Sequence, residues 1–421
     1  MRKRFAALGM AETSWALADQ GVMSLGNFAT NILLARNLPS TDYGVFSLTY
    51  GVILLLSTVH ASFVIHPLSI QGASAEDHQL KTMVCRSLFL TMFVGTALSP
   101  FLAGVLWAVG RIDLLLWTLL VLFSWQAQQT VRRALMTHQR FKEAFWGDAL
   151  SFLGQSALIW LLAKAGTLNL VQTFAVIAAT SILGGKLQLK NLQLRLQRPF
   201  FLQSTAASFW LLGRWVLLIN LLAMPVSQVL PWLLMFSHGA EEVAAYQAIT
   251  NILAGVNPVI FSMGHLMLPV SVKAHTLEGT QSAWRQSRVY AVHGGLLLAP
   301  FFLALLFWPQ CFLGLLYGHD SAYSGLTFPL RVLVAGAILD YLAQMTGGFL
   351  NNINEPRLSF FAQTASASAA LLTGPPLVLW AGVLGAAGGN TVANAVKAAF
   401  SVALLSHKLK RSTPPSPHPS H

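Results

Sequence analysis

Charge is scarce in this 421-residue chain, and the scarcity excludes an ordinary soluble protein. Charged residues make up 10% of the sequence and hydrophobic residues 55%, whereas soluble domains carry about 25% charged residues. Only two cysteines are present, Cys85 and Cys311, and they fall at opposite ends of their predicted helices, so we expect no disulfide between them. Metal-ligand spacings, phosphate-binding loops and nucleophile–base sets are also missing. The composition is that of a polytopic membrane protein.

Long apolar segments are abundant. Segments of about 20 residues, the length that crosses a hydrocarbon core of about 30 Å, can be placed twelve times. The predicted spans cover residues 14–36, 43–66, 84–109, 112–131, 145–164, 168–189, 206–236, 242–271, 288–309, 325–350, 358–380 and 384–406. We therefore predict an all-α polytopic membrane protein with twelve transmembrane helices in two six-helix lobes, related by a pseudo-twofold axis along the membrane normal.

The excess of Lys and Arg, a net charge of +12, follows from membrane topology rather than from nucleic-acid binding. Basic residues are retained on the cytoplasmic side of a membrane, which predicts that both termini are cytoplasmic. Arg36, Arg111 and Lys164 lie in outer connections, Arg214, Arg331 and Lys397 lie within spans, and all others, including Arg132 and Arg133, lie in inner connections.

The predicted spans divide the chain into two lobes. A basic amino terminus, residues 1–13, runs directly into a full-length span without a cleavage site, so we expect the first helix to be retained. The amino-terminal lobe covers residues 14–189 and the carboxy-terminal lobe residues 206–406, joined by a basic cytoplasmic linker, residues 190–205. Residues 407–421 are rich in proline and poor in apolar side chains, which predicts a disordered tail.

The first span carries a polar row on an otherwise apolar helix. Gln20, Ser24, Asn27 and Asn31 recur at i, i+4, i+7 and i+11, the helical repeat that places them on one face, with Asp19 beside them. Polar side chains in a membrane turn toward protein or water. Such residues also serve as interhelical hydrogen-bond contacts, but a row of this length favours a helix that lines a cavity.

Arg214 is a second candidate site residue, because a cation inside a span must pair, reach the interface or serve a function. The segment around Trp210 aligns with the segment around Trp15 in a weak internal repeat, which puts Arg214 where the first half has Asp19. Two hypotheses follow, an Asp19–Arg214 ion pair and bidentate contact of Arg214 with a phosphate. They are not mutually exclusive.

A third group of polar residues lies in the last spans. Asn390, Asn394 and Lys397 recur at i, i+4 and i+7, so they share one helix face. Lys397 either binds an anionic ligand or pairs with Asp340 in the tenth span, and the sequence leaves both open. The candidate residues for H⁺ or Na⁺ coupling are Asp340, Tyr341 and Gln344.

Several segments together resemble one known family. LADQGVMSLGNFATNILLARNL, DYGVFSLTYGVILLL, HPLSI, RRALMTHQRF, FWLLGRW and AYQAITNILAGVNPVIFSMGHLMLP, in this order, resemble the polysaccharide-transporter branch of the multidrug/oligosaccharidyl-lipid/polysaccharide (MOP) exporter superfamily, the Wzx-type flippases. The resemblance implies two six-helix lobes around a central cavity, alternating access, and transfer of a polyprenyl-pyrophosphate-linked oligosaccharide to the outer leaflet of the bacterial inner membrane. It implies as partners the lipid-linked oligosaccharide, membrane lipids, H⁺ or Na⁺, and the polysaccharide polymerase with other biosynthesis proteins, and neither cofactor nor enzymatic activity.

Two alternatives are weighed against this function. A MATE-like, cation-coupled multidrug antiporter needs acidic residues in its cavity, whereas the candidate charged residues within spans are three basic ones, Arg214, Arg331 and Lys397, and two acidic ones, Asp19 and Asp340. A membrane enzyme such as an O-antigen polymerase or ligase needs a large outer loop, and every outer connection is short. The predicted substrate cavity comprises Asp19, Gln20, Ser24, Asn27, Asn31, Arg214, Asn390, Asn394 and Lys397.

Overall fold

The computed structural model describes residues 2–73, 75–194 and 202–411. Part of the predicted linker and most of the predicted disordered tail, residues 195–201 and 412–421, lie outside the described residues. Within the described ranges the chain forms helices and short connections, with no β-strand. The predicted all-helical class is therefore confirmed.

Fifteen α-helices follow one another in the described part of the chain. They are α1 (Arg2–Asn37), α2 (Ser40–His60), α3 (His66–Gly72), α4 (Asp77–Ala108), α5 (Leu115–Thr137), α6 (Phe141–Asp148), α7 (Gly154–Lys164), α8 (Leu170–Leu192), α9 (Leu202–His238), α10 (Ala240–Ala254), α11 (Asn257–Glu278), α12 (Thr280–Phe307), α13 (Pro309–Tyr317), α14 (Thr327–Asn352) and α15 (Pro356–Arg411).

Three of the predicted spans correspond to interrupted helices, and one long helix, α15, covers the last two predicted spans. A π turn, Ala61–Ile65, joins α2 to α3, and a second π turn, Ala149–Leu153, joins α6 to α7. Helices α10 and α11 meet at a bend of 43°, and α15 is broken at Ala381 and Gly382. When each interrupted pair is taken as one segment and α15 as two, the long helical segments of the described chain follow the twelve predicted spans in order.

By length and hydropathy alone, fewer of these segments qualify as membrane spans. Six helices among the described residues are long and apolar enough to cross a bilayer, or seven if the bent pair of α10 and α11 is one span. Helix α1 is among the long segments that do not qualify, and it contains five of the nine residues of the predicted substrate cavity.

The interruptions have local causes. Pro67 supplies no backbone N–H to the carbonyl four residues earlier, and its ring crowds that carbonyl, so the helix widens into a π turn just before it. Pro258 lies in the first turn of α11, where its missing N–H costs nothing. The break in α15 has Gly382 at φ +52°, and the backbone N–H of Val383 donates to the Glu242 carboxylate at 2.9 Å, which caps the second part of α15.

The chain divides into two compact units, Met1–Leu221 and Leu222–His421. The division falls inside α9, later than the linker predicted at residues 190–205. The first part of α9 belongs to unit 1 because Phe209 is buried in its core, Trp210 stacks on Phe63 at 5.1 Å between ring centroids, and Asn220 donates to Ser62 at 3.1 Å. The predicted pseudo-twofold relation between lobes stays a prediction.

Candidate functional site

The polar row of α1 lies beside the face that this helix packs against its neighbours. Gln20 is exposed, and the other three residues of the row, Ser24, Asn27 and Asn31, are half-buried. The side-chain amide of Asn31 donates to the carbonyl of Asn27 at 2.9 Å. The rest of the row keeps hydrogen-bonding groups on an accessible face of unit 1.

The packed face of α1 is turned by about 100° from this row, the angle between successive residues of a helix, and it meets α7 and the π turn before it. At Gly26 the helices approach so closely that an added Cβ would lie 2.7 Å from the Cβ of Phe152. The Ser156 hydroxyl donates to the carbonyl of Gly26 at 2.9 Å. Thr30 is hydrogen-bonded to both Ser156 and Gln155 at 3.0 Å. This contact fixes α1 and therefore the direction in which the polar row faces.

Asp19 also lies on the packed face, in a buried ion cluster of unit 1. The Arg132 guanidinium donates through Nη2 to Asp19 at 2.6 Å and through Nε to Asp148. Both carboxylate side chains are 0% exposed and the Arg132 side chain 10%. One guanidinium thus binds two carboxylates, one from α1 and one from α6, and the cluster carries a formal charge of −1.

Two glutamines complete the surroundings of Asp148. Gln128 on α5 and Gln188 on α8 donate their amide groups to its second oxygen at 3.2 and 3.0 Å. Ser151 in turn donates to Gln128 at 3.1 Å. Asp19 is less well satisfied, because its Oδ1 is buried and has no hydrogen-bond partner among the described residues.

The cluster corrects two predictions. The predicted Asp19–Arg214 pair is wrong, because Asp19 pairs with Arg132. Arg132 is buried inside unit 1, although the Arg132–Arg133 doublet looks like an inner connection, and Asp148 was missed. The available signal was the position of Asp148 inside a predicted span, where a carboxylate needs a partner.

Unit 2 contains a second polar cluster, which joins α14 to α15. The Lys397 ammonium donates to Oδ1 of Asp340 at 3.0 Å, and the Gln344 amide donates to Oδ2 of the same carboxylate at 2.8 Å. The side chains of Lys397 and Asp340 are 23% and 27% exposed. Of the two alternatives for Lys397, the structure shows the pair with Asp340, and this pair stays accessible, unlike the cluster in unit 1.

The asparagines of α15 extend this cluster along the helix. Asn394 donates to Oδ1 of Asn390 at 3.1 Å, and Asn390 donates to the hydroxyl of Tyr246 on α10 at 3.3 Å. Both asparagines are half-buried. The predicted face of Asn390, Asn394 and Lys397 thus forms a continuous polar row, to which Tyr246, missed at the sequence level, contributes a hydroxyl.

Two candidate residues remain, Tyr341 and Arg214. Tyr341 donates its hydroxyl to the carbonyl of Ala291 on α12 at 2.5 Å, so it fastens α14 to α12 rather than facing Lys397. Arg214 lies on the part of α9 that belongs to unit 1, and its side chain is exposed. Among the described residues, no three His, Cys, Asp or Glu side chains are grouped to hold a metal ion.

Comparison with known proteins identifies the fold. No protein-family model and no curated protein matches the chain. Among solved structures, it is similar to an inward-facing multidrug resistance MATE family transporter of the MOP superfamily, with a TM-score of 0.76, 15% identity, and coverage of 93% of this chain and 96% of the other.

Two further structures are similar over most of their length. The lipid II flippase MurJ, in an inward closed conformation, has a TM-score of 0.74 at 14% identity, with coverage of 94% of this chain and 87% of the flippase. A MOP superfamily transporter from Pyrococcus furiosus, described as having a binding pocket of reversed polarity, has a TM-score of 0.61 at 14% identity, with coverage of 94% and 93%. The chain therefore has the fold shared by MATE and MurJ transporters and is a multi-pass membrane protein.

Proposed function

We propose that this protein is a flippase that moves a polyprenyl-pyrophosphate-linked oligosaccharide from the inner to the outer leaflet of a bacterial inner membrane, by alternating access, for surface polysaccharide synthesis. The proposal places it in the Wzx-type branch of the MOP fold. The fold is compatible with either a lipid-linked or a drug-like substrate, so the choice depends on the chemistry of the site.

The intramembrane carboxylates are already paired with cations of the chain, and the choice of substrate class depends on this observation. Among the described side chains, three carboxylates lie beyond the terminal turns of the helical segments. Asp19 and Asp148 bind Arg132, and Asp340 binds Lys397. A cationic drug would have to displace an Arg or a Lys to reach any of them. This arrangement favours a substrate that is neutral or anionic.

The accessible polar groups suit a sugar headgroup. Gln20, Ser24 and Asn27 on α1, and Asn390 and Asn394 on α15, offer uncharged donors and acceptors, the groups that hydroxyl-rich ligands bind. Each unit supplies one such row. Arg214, exposed on α9, is proposed to contact the pyrophosphate, because a guanidinium matches phosphate oxygens bidentately.

The Asp340–Lys397 pair is proposed as the ion-coupling group. Uptake of H⁺ or Na⁺ by Asp340 would compete with Lys397 for the carboxylate, since both bind the same oxygens. Gln344 holds the second oxygen in place. A purely structural pair is the alternative.

A double substitution separates these two roles. In a purely structural pair, Asp340→Asn and Lys397→Gln each destabilise the protein, and the double variant restores both melting temperature and transport. In a coupling pair, the double variant regains stability without transport. Recovery of transport in the double variant would therefore eliminate coupling at this site.

The substrate class is tested by deletion of the gene. We expect polyprenyl-linked oligosaccharide to accumulate on the inner leaflet and surface glycan to be lost, with restoration by the wild-type gene. Arg214→Ala, at equal membrane abundance, should lower glycan export by at least about tenfold, since a hydrogen bond to a charged group contributes about 1.5–3 kcal/mol. Arg331→Ala is the matched control, because Arg331 is also an exposed arginine of a predicted span but does not belong to the predicted substrate cavity. Normal surface glycan together with lost export of a cationic dye would instead identify a drug exporter.

A further inference from the structure

A groove on the surface of unit 1 has two walls. One wall is α6 with the π turn that follows it, and the other is α8. Its volume is about 480 Å³, and it is lined by Trp146, Ala149, Leu150, Leu187 and Asn191. Trp146 and Leu150 are 52% and 40% exposed. The groove is thus open along its length and almost entirely apolar.

Both walls of the groove carry a lysine at the same end. On the first wall Lys142 precedes Trp146 and Leu150 at intervals of four residues, which places all three on one helix face. On the second wall Lys190 adjoins Asn191, and both lysines are exposed.

A hydrogen bond between the two walls shows that these two lysines lie at the same height along the groove. The Gln188 amide donates to the carbonyl of Ala144 at 3.0 Å, so residues 144 and 188 of the antiparallel walls are opposite one another. Lys142 and Lys190, each two residues further toward the same end, therefore flank one end of the groove. On the predicted topology this is the cytoplasmic end.

Aromatic rings lie beside the charged end of the groove. Trp15 on α1 lies 5.1 Å from Phe145 and 6.5 Å from Trp146, between ring centroids. The Lys142 ammonium lies 5.8 Å from the centroid of the Trp15 ring. Tryptophan and lysine side chains that lie together are typical of the level of lipid headgroups in a membrane.

We infer that this groove is a binding site for an anionic phospholipid of the inner leaflet. One acyl chain lies along Trp146, Leu150 and Leu187, and the phosphate lies between Lys142 and Lys190, with the Asn191 amide beside it. The apolar lining suits an acyl chain and the two flanking lysines suit an anionic headgroup, which is why an anionic phospholipid is proposed. The site does not depend on the proposed function, and it lies apart from the polar rows of α1 and α15.

Photocrosslinking with a phosphatidylglycerol that carries a diazirine in its acyl chain tests this inference. With the full-length protein in phosphatidylcholine nanodiscs, we expect label on residues 141–153 and 183–194, removed by excess unlabelled phosphatidylglycerol. The double variant Lys142→Gln, Lys190→Gln should raise the concentration of unlabelled phosphatidylglycerol needed for competition roughly 30-fold. Each lysine near an anionic lipid contributes roughly a factor of five in affinity. Lys273→Gln with Lys410→Gln removes the same charge from exposed positions elsewhere and should change nothing.

A second variant keeps the test independent of charge. Leu150→Trp fills the groove and should reduce labelling of residues 183–194, while the elution volume in size-exclusion chromatography shows that the variant is folded. Equal labelling by a diazirine phosphatidylcholine would mean unspecific lipid contact and would overturn the inference. More effective competition by polyprenyl phosphate than by phosphatidylglycerol would also overturn it, because the site would then belong to the substrate.

Discussion

Replacement of Arg132 by glutamine should destabilise the protein far more than the same change at the next residue. Arg132 is the sole cationic partner of Asp19 and Asp148 among the described residues, and both carboxylates are 0% exposed. Removal of one member of a buried ion pair leaves a charge without compensation and costs about 3–5 kcal/mol, whereas an exposed pair contributes about 0–1 kcal/mol. We therefore expect Arg132→Gln to cost about 3–5 kcal/mol.

The predicted loss is measurable as a melting temperature. For a unit of the size of Met1–Leu221, each kcal/mol shifts the melting temperature by about 2–4 °C, which gives roughly 6–20 °C for Arg132→Gln. Purified protein would be heated and the folded fraction followed by size-exclusion chromatography. Arg133→Gln is the control, because Arg133 is half-buried and forms no salt bridge among the described residues, and it should shift the melting temperature by less than about 4 °C.

A second substitution tests whether charge is the cause. Asp19→Asn in the Arg132→Gln background removes one of the two carboxylates that lose their partner, so it should recover part of the lost stability. Arg132→Lys keeps the charge but cannot bind two carboxylates through a planar fork, so it should fall between the wild type and Arg132→Gln. If Arg132→Gln and Arg133→Gln melted at the same temperature, the argument from the buried cluster would be refuted.

Two further predictions concern packing in unit 1. Gly26→Ala should cost about 1–3 kcal/mol through overpacking, because its Cβ would lie 2.7 Å from a side chain of the neighbouring π turn, whereas Gly21→Ala, with nothing within 4 Å, should stabilise the helix by about 0.5–1 kcal/mol. Opposite signs in thermal unfolding are expected, and equal effects would contradict the close contact. His60→Leu should cost about 1–3 kcal/mol, because the buried His60 ring lies 3.0 Å from Thr91 and 3.2 Å from Thr130 in hydrogen-bonding positions. The loss should shrink when both threonines are already valine, since residues in one network are not additive, and an undiminished loss would show that the ring acts only by filling space.

The order of the helical segments and the polar faces of single helices were predictable because both are local properties. Runs of apolar residues define a span wherever a membrane is the solvent, and a repeat of 3.6 residues assigns each side chain to a face. The row of Gln20, Ser24 and Asn27 on α1, and the face shared by Asn390 and Lys397 on α15, needed no knowledge of neighbouring helices. Both rows are accessible in the structure.

Partners between helices were not predictable in the same way. The internal repeat suggested Arg214 as the partner of Asp19. Instead, α1 packs against α6, α7 and the π turn between them, with a close contact at Gly26, and this packing brings Asp19 to Arg132 and Asp148. The Arg132–Arg133 doublet looks like an inner connection because local sequence does not show that two carboxylates on other helices lie within reach of one guanidinium.

The sequence by itself determined that this is a multi-pass helical membrane protein with uncharged polar faces and few intramembrane charges. The tertiary structure decided which charges neutralise each other, where the chain divides within α9, and that a lysine-flanked groove opens beside α6. The reason is physical: helical periodicity is set by neighbours in the chain, whereas ion pairs and grooves depend on which helices pack together and at what height. The pairing of Asp19, Asp148 and Asp340 with the protein's own cations, on which the proposal of a neutral or anionic substrate depends, belongs to this second kind.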